Sequence, residues 1–176
     1  MAGVLPVKKP VYVVDTSYLV EFYKVGKHCK EVHHQEVKKR FNEAIKNKCR
    51  LYVPVPVIFE IANHIAHVKD DNRRKQLVER FNKDIQDSFK FDSPFNLVPC
   101  KDFESVELLV KNIIQFAEHY AKQGLGLTDA AVYLQAMQLK QEYKKFKNYS
   151  IHIWTLDGGL KRKEPDHEEN PFDKPF

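Results

Sequence analysis

Short unbroken apolar runs alternate along this chain with longer stretches in which apolar residues return every third or fourth position among charges. The first run, Val11, Tyr12, Val13 and Val14, is β-branched and aromatic with no polar interruption, the pattern of a strand buried on both faces of a parallel sheet. It stops at Asp15. Thr16 and Ser17 then offer caps for a short helix over residues 18–23, ended by Gly26. In residues 31–48, Val37, Phe41, Ala44 and Ile45 recur at helical spacing among many charges, which predicts an amphipathic helix. Leu51, Tyr52 and Val53 predict a second strand. Pro54 and Pro56 interrupt it, and residues 57–68 resume as an apolar helix that carries Glu60 and ends before Asp70 and Asp71.

A further amphipathic helix is expected over residues 72–89, with Leu77, Val78, Phe81, Ile85 and Phe89 on one side, and a third strand over residues 95–98. Residues 105–122 return to helical periodicity through Leu108, Leu109, Ile113, Phe116 and Tyr120, with Gly124 and Gly126 ending it. Thr128 suits the cap of a helix over residues 129–145, whose apolar stripe is Ala130, Tyr133, Leu134 and Met137. Residues 151–156 form a last strand that runs straight into Asp157. Strands alternating with helices predict an α/β fold: three layers, with a central, mainly parallel sheet of four to five strands flanked by helices. Residues 1–163 are expected to form one domain, and residues 164–176, acidic and proline-rich without periodicity, an extended tail ordered where Phe172 or Phe176 finds a pocket.

Composition narrows the class. The 29 Lys and Arg against 24 Asp and Glu give a net charge of +5, which permits a polyanionic partner without requiring one. Cys29, Cys49 and Cys100 are scattered and odd in number, so neither a disulfide framework nor a zinc ribbon is indicated, and a reducing, cytoplasmic setting fits. No window approaches the roughly 20 consecutive apolar residues of a membrane-spanning helix, and Lys8 and Lys9 follow rather than precede the N-terminal apolar residues, the wrong order for a signal peptide. No P-loop, nucleotide-binding glycine loop or Ser-His-Asp order is present.

The chemistry lies in four acids. Asp15 follows the first strand and Asp157 the last, so a parallel sheet delivers both to the edge where ligands bind. Asp129 stands in the first turn of its helix, where the helix dipole favours an anion, and Glu60 lies early in its own helix. A few carboxylates with water suit a hard divalent cation, and two such ions can activate a water and stabilise the leaving oxygen of a phosphodiester. Each acid alone also has a plain reading as a turn or solvated helix residue. Their joint context carries the expectation.

Val-Val-Asp15-Thr16-Ser17-Tyr-Leu, Phe-Glu60-Ile, Leu-Thr128-Asp129-Ala-Ala and Trp-Thr155-Leu-Asp157 resemble, in order, the four acidic motifs of the PIN-domain family. The resemblance spans residues 11–157 and includes small prokaryotic PIN endoribonucleases, among them toxins of toxin–antitoxin pairs. It implies a PIN-like fold, a Mg2+- or Mn2+-dependent endoribonuclease that cuts single-stranded RNA with one or two ions, and Asp15, Glu60, Asp129 and Asp157 as the metal-binding and catalytic set. It further implies that Thr16 supports the Asp15 turn and that Thr155 orients a water or phosphate. Val57 stands where the family often has a small hydroxyl residue, and Gly159 where it commonly has another acid, which leaves Asp157 as the acid of that loop.

Lys161 and Arg162, just after Asp157, and Lys24, beyond Asp15, are expected to hold substrate phosphates. Arg73, Arg74 and Lys75 read as surface. Glu60, His64 and His67 share one helix face, and His64 is expected to support the acids from behind rather than to bind a transition metal. RNA is the expected partner, with an inhibitory antitoxin protein or a homodimer on the faces around Phe81 and Phe116. Two alternatives differ in class: a non-catalytic PIN-fold scaffold binding RNA or protein, which would not cleave, and a phosphohydrolase, which would cleave small phosphate esters but not RNA.

Overall fold

Val11, Val13 and Val14 are each at most 1% exposed, and the reason is their place in the sheet. In the computed structural model, which describes residues 8–26, 29–88, 90, 95–98, 119–146 and 148–172, strands β1 (Lys9–Val14), β2 (Arg50–Pro54), β3 (Phe95–Val98) and β4 (Tyr149–Trp154) pair in the order β3-β2-β1-β4. All neighbours run parallel, with Val14 opposite Trp154, Val13 opposite Tyr52 and Val53 opposite Leu97. β1 is therefore central, and an apolar run is what a strand covered on both sides requires.

The helices are α1 (Thr16–Tyr23), α2 (Glu31–Lys46), α3 (Val55–Ala66), α4 (Asp71–Asp87), α5 (Leu127–Glu142) and α6 (Gly158–Lys161). The chain leaves β1 toward β2 and β3, then returns to place β4 on the far side of β1. Right-handed crossovers then put the helices between β1, β2 and β3 on one face and α5 on the other, giving the three-layer α/β arrangement. The order reverses between β1 and β4. At such a reversal neighbouring loops part, and a crevice opens at the carboxyl ends of the strands.

Several local expectations shift. Asp15 itself caps α1, accepting from the Ser17 N–H, and Lys24 rather than Gly26 takes the left-handed conformation that ends it (φ 55°). α3 starts at Val55, because Pro56 falls in the first turn, where a missing N–H costs nothing. Asp70 opens α4, accepting from the Arg73 N–H at 2.6 Å. α5 begins at Leu127, so Thr128 is inside the helix and not its cap. Its buried residues are Ala130, Ala131, Val132, Gln135, Ala136 and Leu139, because this helix packs on β1, β2 and β4 and also on α3; Tyr133, Leu134 and Met137 are only partly covered. The helix expected over residues 105–122 lies outside the described residues apart from its end, where Ala121–Gln123 form a 3-10 turn.

Residues 164–172 run beside the outer edge of β4. Ile151 N–H donates to Asp166 Oδ2 (2.8 Å), Asp166 N–H to Ile151 O (3.1 Å) and Ile153 N–H to Glu164 Oε2 (3.1 Å), so two carboxylates stand in for a fifth strand and cover the edge. Glu168 pairs with Arg40 at 2.6 Å, Lys140 with Asp166, and Phe172 packs against Tyr18 and His33. This stretch is bonded into the domain. Among the described residues no helix is long and apolar enough to cross a membrane.

Candidate active site

Asp15 is 4% exposed at the end of β1, and three hydrogen bonds converge on its Oδ2: from Ser17 N–H (3.3 Å), Ser17 Oγ (2.6 Å) and Thr155 Oγ1 (2.9 Å). Ser17 Oγ in turn accepts from Leu156 N–H (2.9 Å), and Thr155 Oγ1 from Asp157 N–H (3.0 Å). The two hydroxyls lie 3.4 Å apart, but each has one hydrogen and directs it at Asp15. The ends of β1 and β4 are thereby stitched together around one carboxylate. Thr155 thus acts on Asp15 rather than facing a substrate, being 1% exposed. Thr16 also differs from expectation: its hydroxyl donates to Glu60 Oε2 at 2.9 Å, fixing the acid of α3 and not the turn of β1.

Asp129 is the third residue of α5, where its Oδ2 accepts from Gly126 N–H at 3.0 Å and closes the helix start. A Cβ at Gly126 would lie 3.1 Å from that oxygen. Asp157 caps α6, with Oδ1 accepting from Leu160 N–H at 2.7 Å. At Gly159 a Cβ would come within 2.9 Å of the same Oδ1, so a side chain there would require Asp157 to shift. Val57, the other departure from the family pattern, is fully buried and serves the core.

Asp15, Glu60, Asp129 and Asp157 line one cleft of about 1120 Å3 at the carboxyl end of the sheet. Burial holds the Asp15 carboxyl above the usual carboxylate range despite the Ser17 and Thr155 hydrogen bonds that oppose it, and Asp129 adds repulsion. Asp129 is raised too, first by burial, then by Asp157 and Glu60, against the Gly126 hydrogen bond. The four acids feel one another. Among the described residues none of them has a Lys, Arg or His within ion-pair distance, whereas Glu31, Asp71, Asp84, Asp87, Asp166 and Glu168 each have one.

This donor set fits a hard divalent cation. The hydrogen bonds named above engage a single oxygen of each acid, and among the described residues no cation within ion-pair distance competes for the charge. As placed, no three His, Cys, Asp or Glu side chains among the described residues close around one ion position. Glu60 and Asp129 are partly exposed and Asp157 is exposed, so their ends have room to turn inward, whereas Asp15 is fixed.

The remaining expected residues divide. His64 and Lys24 line the cleft, Lys24 with its Nζ 2.5 Å from Glu31. Lys161 does not: it is 7% exposed, donates to Ile153 O (3.1 Å) and Glu164 (2.7 Å), and lies 3.5 Å from Glu168. It ties the tail to β4 and has no hydrogen free for a phosphate in the cleft. Arg162 is exposed and outside the cleft lining. Arg73, expected on the surface, lines the cleft, as do Glu21 and Lys69. Ser17, Glu21 and Lys24 do stand on one face of α1 by helical spacing, a signal present in the chain; nothing in it brings the start of α4 to that face.

Cys29 also lies on the cleft wall, bonded to Val25 O (3.0 Å), and its thiol is pushed up to about 11 by burial and then by Glu21. It is protonated at neutral pH and unsuited to nucleophilic attack. Phe81, one of the faces considered for a dimer, is partly used within the chain, edge-on to Tyr23; Phe116 lies outside the described residues. In comparison with known proteins, the chain matches no protein-family model and no curated protein.

Proposed function

We propose that this protein is a metal-dependent endoribonuclease of the PIN-domain type, hydrolysing phosphodiester bonds of single-stranded RNA with Mg2+ or Mn2+. One observation carries the reading: four carboxylates from the ends of β1 and β4 and the first halves of α3 and α5 line one cleft, and among the described residues none of the four has a cation within ion-pair distance. Unneutralised acids crowded together raise one another's proton affinity, an arrangement that costs stability unless a cation is bound.

Asp15 would be the fixed ligand, held through Oδ2 by Ser17 and Thr155. Glu60, set by Thr16, together with Asp129 and Asp157 would complete the set. When bound, a hard divalent cation supplies charge stabilisation for the phosphodiester and a water activated for attack. Water oxygen joins the phosphorus, the bond to the 3′ oxygen breaks, and a proton passes to that oxygen, leaving 5′-phosphate and 3′-hydroxyl ends. Cys29, held protonated by burial, offers no thiolate for a covalent route.

The open placement of the four acids favours one other reading, a non-catalytic scaffold that binds RNA. Incubation of the metal-free protein with labelled single-stranded RNA plus Mn2+ or Mg2+, beside Asp15→Asn, separates the two. Cleavage needing both metal and Asp15 supports the nuclease; bound but intact RNA supports the scaffold.

A further inference from the structure

The cleft of about 1120 Å3 is larger than the roughly 300–1,000 Å3 of a pocket for one small molecule, so it has room beyond Asp15, Glu60, Asp129 and Asp157. Along α3, His64 lies one turn and His67 two turns beyond Glu60, about 6 and 10 Å farther along the axis at 1.5 Å per residue. Lys69 follows in the turn to α4, and Arg73 and Lys24 face the same space from α4 and the end of α1. This arm thus carries three cations and two histidines, beside Glu21 and Asp70, whose Oδ1 accepts from Arg73 N–H.

Bonding separates Arg73 and Lys69 from Lys24, whose Nζ lies 2.5 Å from Glu31. The Arg73 guanidinium is anchored through Nη2 to Tyr23 O (2.9 Å) and Lys24 O (3.5 Å), which satisfies orphan carbonyls at the end of α1 and leaves its net charge unpaired by any acid among the described residues. Lys69 is exposed, and among the described residues it has neither a hydrogen bond nor an ion pair from its side chain. Lys24 is held in the left-handed conformation (φ 55°) uncommon for a side-chain-bearing residue, at the rim of the same arm. Opposite, beyond β4, Lys161 is consumed by Glu164 and Glu168.

We infer that the RNA strand enters along the α1–α3–α4 arm, with Arg73 and Lys69 holding the phosphates next to the one being cleaved and His64 standing between them and the acids. This rests on the nuclease reading and adds the path of the substrate to it. Contacts of this kind carry affinity and register but no base preference, so binding should be sequence-tolerant and salt-dependent.

The test is fluorescence anisotropy with a labelled oligouridylate of about ten nucleotides, a length that spans the arm, in EDTA so that the strand stays intact. The unsubstituted protein, Lys69→Ala, Arg73→Gln and Arg162→Ala are compared across a salt series, and each is then assayed for cleavage in Mn2+. Lys69→Ala and Arg73→Gln are expected to weaken binding roughly five-fold each and to reduce the slope of log K against log salt by about 0.7 per contact, with Arg162→Ala unchanged. Thermal melts accompany each variant, because Arg73 also closes α1; Lys69, exposed and unbonded, reports without that complication. Wild-type affinity in both Lys69→Ala and Arg73→Gln, or loss in Arg162→Ala alone, would overturn the path while leaving the nuclease in place. Absence of cleavage in every protein, the unsubstituted one included, would overturn the nuclease reading and this path with it.

Discussion

Thr155 Oγ1 donates to Asp15 Oδ2 at 2.9 Å, joining residues 140 positions apart at the one place where the strand order reverses. The bond passes on to Asp157, whose N–H donates to Thr155 Oγ1, so one threonine places the acids of the first and the last strand relative to each other.

Replacing Thr155 by Val keeps the volume and removes both bonds. A hydrogen bond to a charged group is worth about 1.5–3 kcal/mol, so Asp15 should become harder to ionise, since this bond lowers its proton affinity. The acidic limb of the cleavage pH profile should move to higher pH. A uniform loss of rate with the limb unmoved would count against a positioning role.

Asp15 and Asp129 are raised above the ordinary carboxylate value in the folded, metal-free protein. Between the unfolded and folded pKa values the native state therefore binds more protons than the unfolded chain, and stability falls as pH rises through that window. The metal-free melting temperature should drop on going from acid toward neutral pH by more than in Asp129→Asn. That variant should lose cleavage, yet melt at or above the temperature of the unsubstituted protein at neutral pH. A lower melt at neutral pH would show that Asp129 stabilises rather than strains the empty cleft.

Metal should reverse this penalty. A ligand that binds only the native state at 100 times its Kd stabilises by about 2.7 kcal/mol, so saturating Mn2+ should raise the melting temperature by several degrees. Asp15→Asn should remove most of that rise. Calorimetry should also register proton release on binding, because the raised carboxyls must ionise; binding without proton release would contradict the linkage.

Glu164 is the hub of the tail, accepting from Lys161 Nζ at 2.7 Å and from Ile153 N–H at 3.1 Å. Glu164→Ala leaves the buried Lys161 with the Ile153 carbonyl and, among the described acids, Glu168 at 3.5 Å, and breaking a buried pair costs about 3–5 kcal/mol. The expected outcome is a strongly lowered denaturation midpoint. Truncation after Lys163 should do the same and expose the edge of β4, which sedimentation would register as self-association. Little change in either would show that the tail is not part of the folded unit.

The strands were legible because a buried parallel strand permits only apolar residues, and Val11 to Val14 satisfy that in four letters. The starts of α1 to α5 were legible within two residues and their ends within three, while the capping residues were not. Asp15, Asp70 and Asp129 can each cap, enter or precede a helix, and the choice depends on which N–H group lies within reach. The four acids were named from their motifs, but their meeting in one cleft is a property of the sheet order, which the residues state only indirectly.

What the sequence by itself determined is the alternation of strand and helix and the placing of an acid after the first and the last strand, since both follow from local periodicity and chain continuity. The roles of the supporting residues were decided by tertiary structure alone. Thr16 turned to Glu60, Thr155 to Asp15, Lys161 to the tail and Arg73 to the cleft, because a polar side chain bonds to whatever the fold brings within 3 Å of it, and that partner lies up to 140 positions away.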